Sequence, residues 1–366
     1  MNREKRSLSS VLASHTWSLA AVALIAAASI LRPAIAQTSS GAAPLSGGGA
    51  TYVYLAVQNV GYNRPPSILQ FHADDSGHVS PSNSLELPME DGALFFTVDS
   101  SGQIYAALPA YYERSGSTNN LTRHAEVAIY APNASGTATP ARVITEGVMN
   151  YPVGIAVGRD GEIYVADASG TIFVFSASAD GRSEPIRTIY GKLTHLAADT
   201  PIEGIALDDD GYLYVSSGKS ILVFSSDADN NVAPVRTITT TYAGCNVSFR
   251  QLGLDDHENL YARTGNQPTT SGPSPCTAIP PILVFAAGAD GDSSPLKTFT
   301  PASEGRRSTG DVFSFGVDRT GNLFTIKLGG NEILGFGPGS DKDALPALRI
   351  VDTDLTQRTI PTLALQ

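Results

Sequence analysis

The chain has 366 residues, among them 35 Gly and 23 Pro, with 16% charged residues and a formal net charge of −11. The acidic balance argues against a nucleic-acid binder, because phosphates would be repelled. The low charged fraction excludes a largely disordered chain and leaves many turns around a sizeable core.

Residues 1–36 read as a secretory signal. Arg3, Lys5 and Arg6 give a positive start, and Leu19 to Leu31 is an apolar run too short to span a bilayer comfortably. Ala34-Ile35-Ala36 then places small residues where a signal peptidase reads. A retained membrane anchor is the alternative. The segment carries four Lys/Arg and one Glu, so its removal takes the net charge from −11 to −14. The expectation is an exported protein, periplasmic or extracellular, with no membrane attachment after cleavage and no nucleic-acid partner. Residues 37–50, QTSSGAAPLSGGGA, read as a flexible linker.

From residue 51 the chain repeats. The clearest copy is residues 152–190, four short apolar runs separated by turn signals. Gly154 to Val157, Glu162 to Val165, Thr171 to Phe175 and Pro185 to Ile189 read as antiparallel strands, with Gly161, Gly170 and Gly181 at the turns. The second-strand pattern recurs at Tyr52 to Leu55, Gln103 to Tyr105, Glu162 to Tyr164, Tyr212 to Tyr214, Asn259 to Tyr261 and Asn322 to Phe324. Third strands recur in step from Ile68 to Phe336. Four strands in about forty residues, repeated, predict an all-β propeller with six four-stranded blades over residues 51–366.

The fourth strand carries Pro-x-basic-x-apolar, as in Pro140 to Ile144, Pro185 to Ile189, Pro234 to Ile238 and Pro295 to Phe299. Proline lacks the N–H of a central strand, so this strand is predicted to be an outer edge, its Lys or Arg discouraging pairing with another molecule. The first strand is missing from blade one. Ile360 to Gln366 matches Ile202 to Asp208 in spacing, so the C-terminus is predicted to supply the inner strand of the first blade.

The P-x-G-I-A-(x)-D-x-x-G-x-[IL]-Y-V core, seen in Pro152 to Val165 and Pro201 to Val215, resembles the NHL-repeat type of six-bladed β-propeller. That type is related in shape to SMP-30/gluconolactonase and streptogramin-lyase-like propellers. The resemblance covers residues 51–366 and specifies the fold, leaving the ligand open. Departures are a long insertion in blade two, Tyr111 to Arg123, and another in blade five, Thr264 to Ile279, both read as loops.

In such propellers the loops leaving strands two and four gather on one face around the channel, and that face usually binds. Tyr111, Tyr112, Glu113 and Arg114 concentrate hot-spot residue types in the blade-two insertion. Glu203, Arg250 and Asp311 are placed at the channel mouth, giving Tyr111, Tyr112, Arg114, Glu203, Arg250 and Asp311 as candidate ligand-binding residues. The resemblance also implies where a metal would sit, at the starts of inner strands. There this chain has Leu94, Val153, Glu203, Arg250, Phe313 and Pro361, which is one carboxylate and a repelling Arg. Asp227-Ala-Asp229-Asn-Asn231 has the spacing of a calcium loop but lacks its Gly and distal Glu, and reads as a turn.

No catalytic residue, metal ligand or cofactor is assigned. The expectation is a monomeric scaffold binding a protein, peptide or glycan. The alternative is a metal-dependent lactonase or esterase, or a streptogramin-lyase-like enzyme, using Glu203, Asp311 and His195 at the central channel. Cys245 and Cys276, the only cysteines, fall on the same face of blade five and are expected to form a disulfide in an exported chain.

Overall fold

The computed structural model of the protein describes residues 42–58, 65–88, 95–114, 121–145, 147–197, 200–242, 244–265, 281–302, 312–326, 332–352 and 359–366. It is all-β, a six-bladed propeller; among the described residues there is no α-helix and one three-residue 3-10 turn, Lys192–Thr194. The inner strands are Thr359–Leu365, Phe95–Val98, Pro152–Val157, Ile202–Leu207, Ser248–Leu254 and Ser314–Val317 for blades one to six. The second strands are Tyr52–Gln58, Ile104–Arg114, Ile163–Asp167, Leu213–Ser217, Leu260–Gly265 and Leu323–Ile326. Blade one closes as expected: Tyr52–Gln58 pairs antiparallel with Thr359–Leu365, Val53 opposite Leu365 and Leu55 opposite Leu363.

The sequence pattern follows from what each strand face meets. Along the second strand of blade three, Ile163 and Val165 pack toward blade two while Tyr164 and Ala166 pack toward blade four. Both faces are buried, so the run reads as continuously apolar although successive side chains alternate in direction. Six hydrophobic clusters result, each shared by two neighbouring blades, so the core lies between blades. Toward the axis the sheets crowd. A Cβ on Gly204 would sit 2.7 Å from the Arg250 carbonyl oxygen, which explains the glycine of the P-x-G-I-A core.

The D-x-x-G-x-[IL]-Y segment is a capped turn. Asp208 Oδ1 accepts the N–H groups of Asp210 at 3.1 Å and Tyr212 at 2.8 Å. Asp99, Asp255 and Asp318 repeat this arrangement. The tyrosine of the segment is buried. Burial, with Asp99 adjacent, pushes the Tyr105 phenol up to about 12, and its hydroxyl donates to Asp99 Oδ2 at 3.0 Å.

The outer strands correct the edge expectation. Each is covered by a turn of the next blade: Ile144 bridges in parallel to Gly181, Ile189 to Asn230, Ile238 to Gly291 and Ile350 to Gly77. The basic residue of the motif therefore does not guard a free edge. Arg236 lies 5.4 Å from the Tyr214 ring centre and donates to its hydroxyl at 2.8 Å, and Lys297 Nζ donates to the Pro338 carbonyl of blade six at 2.6 Å. The Asp227–Asn231 segment is such a turn, with Asp229 Oδ1 accepting Thr188 N–H at 2.9 Å.

Residues 42–50, the end of the stretch read above as a linker, lie against blade six. Ser46 N–H donates to Asn322 Oδ1 at 2.7 Å and Ala50 N–H to Asp318 Oδ2 at 2.9 Å.

Candidate binding face and central channel

Adjacent strands are antiparallel, so second strands end and inner strands begin on one face. The blade-two insertion emerges there and differs from the expected loop. Tyr111, Tyr112, Glu113 and Arg114 continue the second strand, facing His124, Arg123, Thr122 and Leu121 of the third strand, Leu121–Tyr130. The register shifts between Leu108 and Tyr111, so a two-stranded ribbon leaves the blade across an irregularity. Backbone pairing continues because aromatic and β-branched residues, Tyr111, Tyr112 and Thr122, satisfy strand preferences. Asp311, Cys276 and most of the blade-five insertion lie outside the described residues.

Glu203 and Arg250 come together. Glu203 is the extra residue where the register shifts between Ile202 and Gly204, and Arg250 falls in the shift between Phe249 and Leu252. Such bulges re-aim side chains. Arg250 Nη1 donates to Glu203 Oε2 at 2.8 Å, linking the inner strands of blades four and five. The carboxylate is thus engaged by a guanidinium, which suits an ion pair better than a cation site.

His195 is held in the left-handed region at φ 58 and lines a separate depression of about 450 Å³ with Lys219 and Ser217. Glu203 lines the axial channel, so these two residues of the enzyme alternative are not brought into one cavity. Asp255, Asp256 and His257 are the one group among the described residues whose ligand atoms approach closely enough for a metal. Asp255 is already occupied as a turn cap.

The channel is a cavity of about 620 Å³ lined by the inner strands of all six blades. Arg263 also lines it, from the second strand of blade five, and sequence reading missed this residue. A signal was present: the matching positions in blades one to four and six are Ala56, Ala107, Ala166, Ser216 and Ile326. Burial, reinforced by Arg250 and opposed by Glu203, pushes the Arg263 guanidinium down to about 10.

Residues 149–174 match the NHL repeat family. No curated protein matches the sequence. Among solved structures, the chain is similar to a protein of unknown function from Bacteroides caccae, at 10% identity and TM-score 0.54, covering 85% of this chain and 98% of that one. It is also similar to Raptor from Chaetomium thermophilum, at 12% identity and TM-score 0.50, covering 85% of this chain and spanning 24% of that one. These structural likenesses concern the fold alone. The blade order and the C-terminal closure make the chain a six-bladed β-propeller, with the NHL repeat match confined to residues 149–174 of blade three.

Proposed function

We propose that the protein is an exported binding scaffold that presents its loop-rich face to a protein, peptide or glycan. The observation that carries this reading is the two-stranded ribbon by which the second and third strands of blade two, Ile104–Arg114 and Leu121–Tyr130, continue beyond the blade on one face. Beside that ribbon Val148, Tyr151, Tyr190 and Leu193, 37–56% exposed, lie in connections from an outer strand to the next inner strand, while Ile186, Val235, Leu296 and Leu345 are exposed at the starts of outer strands, on the opposite face. A ribbon that leaves its blade beside exposed apolar side chains on a rigid scaffold favours recognition. The basic start, apolar run and small-residue site of residues 1–36 support export.

A Cys245–Cys276 bond belongs to the same reading. Cys245 is buried, and among the described residues no cysteine is free. The bond would hold the blade-five insertion to the binding face and contribute roughly 3–4 kcal/mol. Mass spectrometry of protein from an oxidising compartment should find no free thiol; two free thiols would refute the bond.

The face itself is tested on defined glycan and peptide arrays. Wild-type protein should retain a member of one class, and Tyr112→Ala with Arg114→Ala should lose it at least tenfold with an unchanged urea midpoint. Equal retention by the double variant would overturn the reading. Lactone hydrolysis lost on Glu203→Ala would replace it with the enzyme.

A further inference from the structure

Apolar side chains line the axial channel on every blade, Phe95, Val157, Ile205, Leu252, Phe315 and Leu363 among them. Its charged and amide side chains, Glu203, Gln251 and Arg263, all stand on blades four and five, with Thr97, Ser314 and Thr362 the other polar side chains of the lining. Gln251 is spent as a staple to blade six: its amide nitrogen donates to the Phe315 carbonyl at 2.6 Å, and its amide oxygen accepts from Ser314 Oγ and Phe315 N–H, each at 3.1 Å. Glu203 is spent on Arg250. Arg263 remains.

Arg263 sits opposite the bulge, where Arg250 and Gln251 together face this single residue. Its Nε is buried with no hydrogen-bond partner, and among the described residues Glu203 is the one carboxylate lining the channel. Two guanidiniums and one carboxylate leave a local charge of +1 inside a chain of net −11. A buried donor without a partner costs free energy, so a cation kept at a site where five blades use a small or apolar residue needs a compensating gain.

We propose that the channel binds a small organic monocarboxylate, its carboxylate on Arg263 with Arg250 behind it and its apolar body along the inner strands. The guanidinium fork matches a carboxylate in a bidentate arrangement. Glu203 sets the size of the complementary charge: a monoanion balances the cluster, whereas a phosphate dianion would leave one desolvated negative charge uncompensated in the channel. The cavity volume falls within the range of small-ligand sites. This site is separate from the blade-two ribbon, so it stands or falls independently of recognition on the loop-rich face.

The test is calorimetric titration of the full-length protein with 4-phenylbutyrate, octanoate, the neutral amide 4-phenylbutyramide and phenyl phosphate. At least one carboxylate should bind with one-to-one stoichiometry, and the amide and phosphate at least tenfold more weakly. Arg263→Gln should lose carboxylate binding at least tenfold while keeping or raising its urea midpoint, since it removes a desolvated charge. Arg263→Lys, which keeps charge and loses the fork, should bind with intermediate affinity and serves if the Gln variant does not fold. Equal binding of amide and acid, undiminished binding in both variants, or no binding by either carboxylate would overturn the proposal.

Discussion

Glu258 shows how the repeat constrains single residues. The position three after the capping aspartate needs a left-handed backbone, and Gly102, Gly211 and Gly321 supply it at φ 81 to 86. In blade five Glu258 takes the same place at φ 58. A side chain there crowds its own backbone, at a cost of about 1 kcal/mol. The turn is otherwise intact, with Glu258 N–H donating to the Asp255 carbonyl at 3.0 Å. Glu258→Gly should therefore stabilise the protein by about 0.5–1 kcal/mol, read as a higher urea midpoint at constant slope. A lower midpoint would mean that the Glu258 side chain makes a contribution outweighing the strain. The turn motif was legible in the sequence because its glycine and aspartate recur. Arg263 was not read, because attention to what recurs passes over the one blade that departs, and only the bulge beside it explains why an arginine faces the channel.

At the scale of elements, the strands were legible and their outer boundary was not. Alternation and turn chemistry mark four strands per blade, but no local pattern says that a turn one blade onward will cover the fourth. The same aspartate does this three times: Asp180 accepts Val143 N–H at 3.0 Å, Asp229 accepts Thr188 N–H at 2.9 Å and Asp290 accepts Thr237 N–H at 3.0 Å. These carboxylates pair outward-facing donors that a bare edge would leave open, so they are seam residues rather than simple turn formers. Asp229→Ala should cost about 1 kcal/mol, the usual net worth of one such bond, and speed hydrogen exchange at the Thr188 amide. Asp229→Asn, which keeps an acceptor oxygen, should recover most of the loss. Unchanged exchange at Thr188 in the Ala variant would show that the seam is held by the Ile189–Asn230 bridge alone. The blade-two insertion failed as a loop prediction for a related reason: Tyr, Thr and Leu extend the pairing where polar neighbours suggest an end.

For the whole molecule, closure of the ring is the step on which the other seams depend. Blade one is assembled from both ends of the propeller, and the C-terminal strand touches its neighbours at several points. Leu363 is 4% exposed in the cluster shared by blades one and six, and its N–H donates to Ser314 Oγ of blade six at 3.1 Å. Thr51 N–H donates to the Gln366 carbonyl at 2.6 Å, and Tyr54 Oη donates to Gln366 Oε1 at 3.1 Å. Burying Leu363 alone stabilises by roughly 1.5–3 kcal/mol. Without the strand, Tyr52–Gln58 becomes an open edge with Val53, Leu55 and Val57 uncovered, an invitation to pair with another chain. Deleting residues 359–366 should therefore yield aggregated protein. Leu363→Ala, a milder lesion, should stay soluble and lose about 2–4 kcal/mol in urea unfolding. A synthetic peptide of sequence TIPTLALQ, added during refolding of the truncated chain, should restore solubility by pairing along the same edge. A truncated chain as soluble and heat-stable as the parent would refute the closure as a stabilising element.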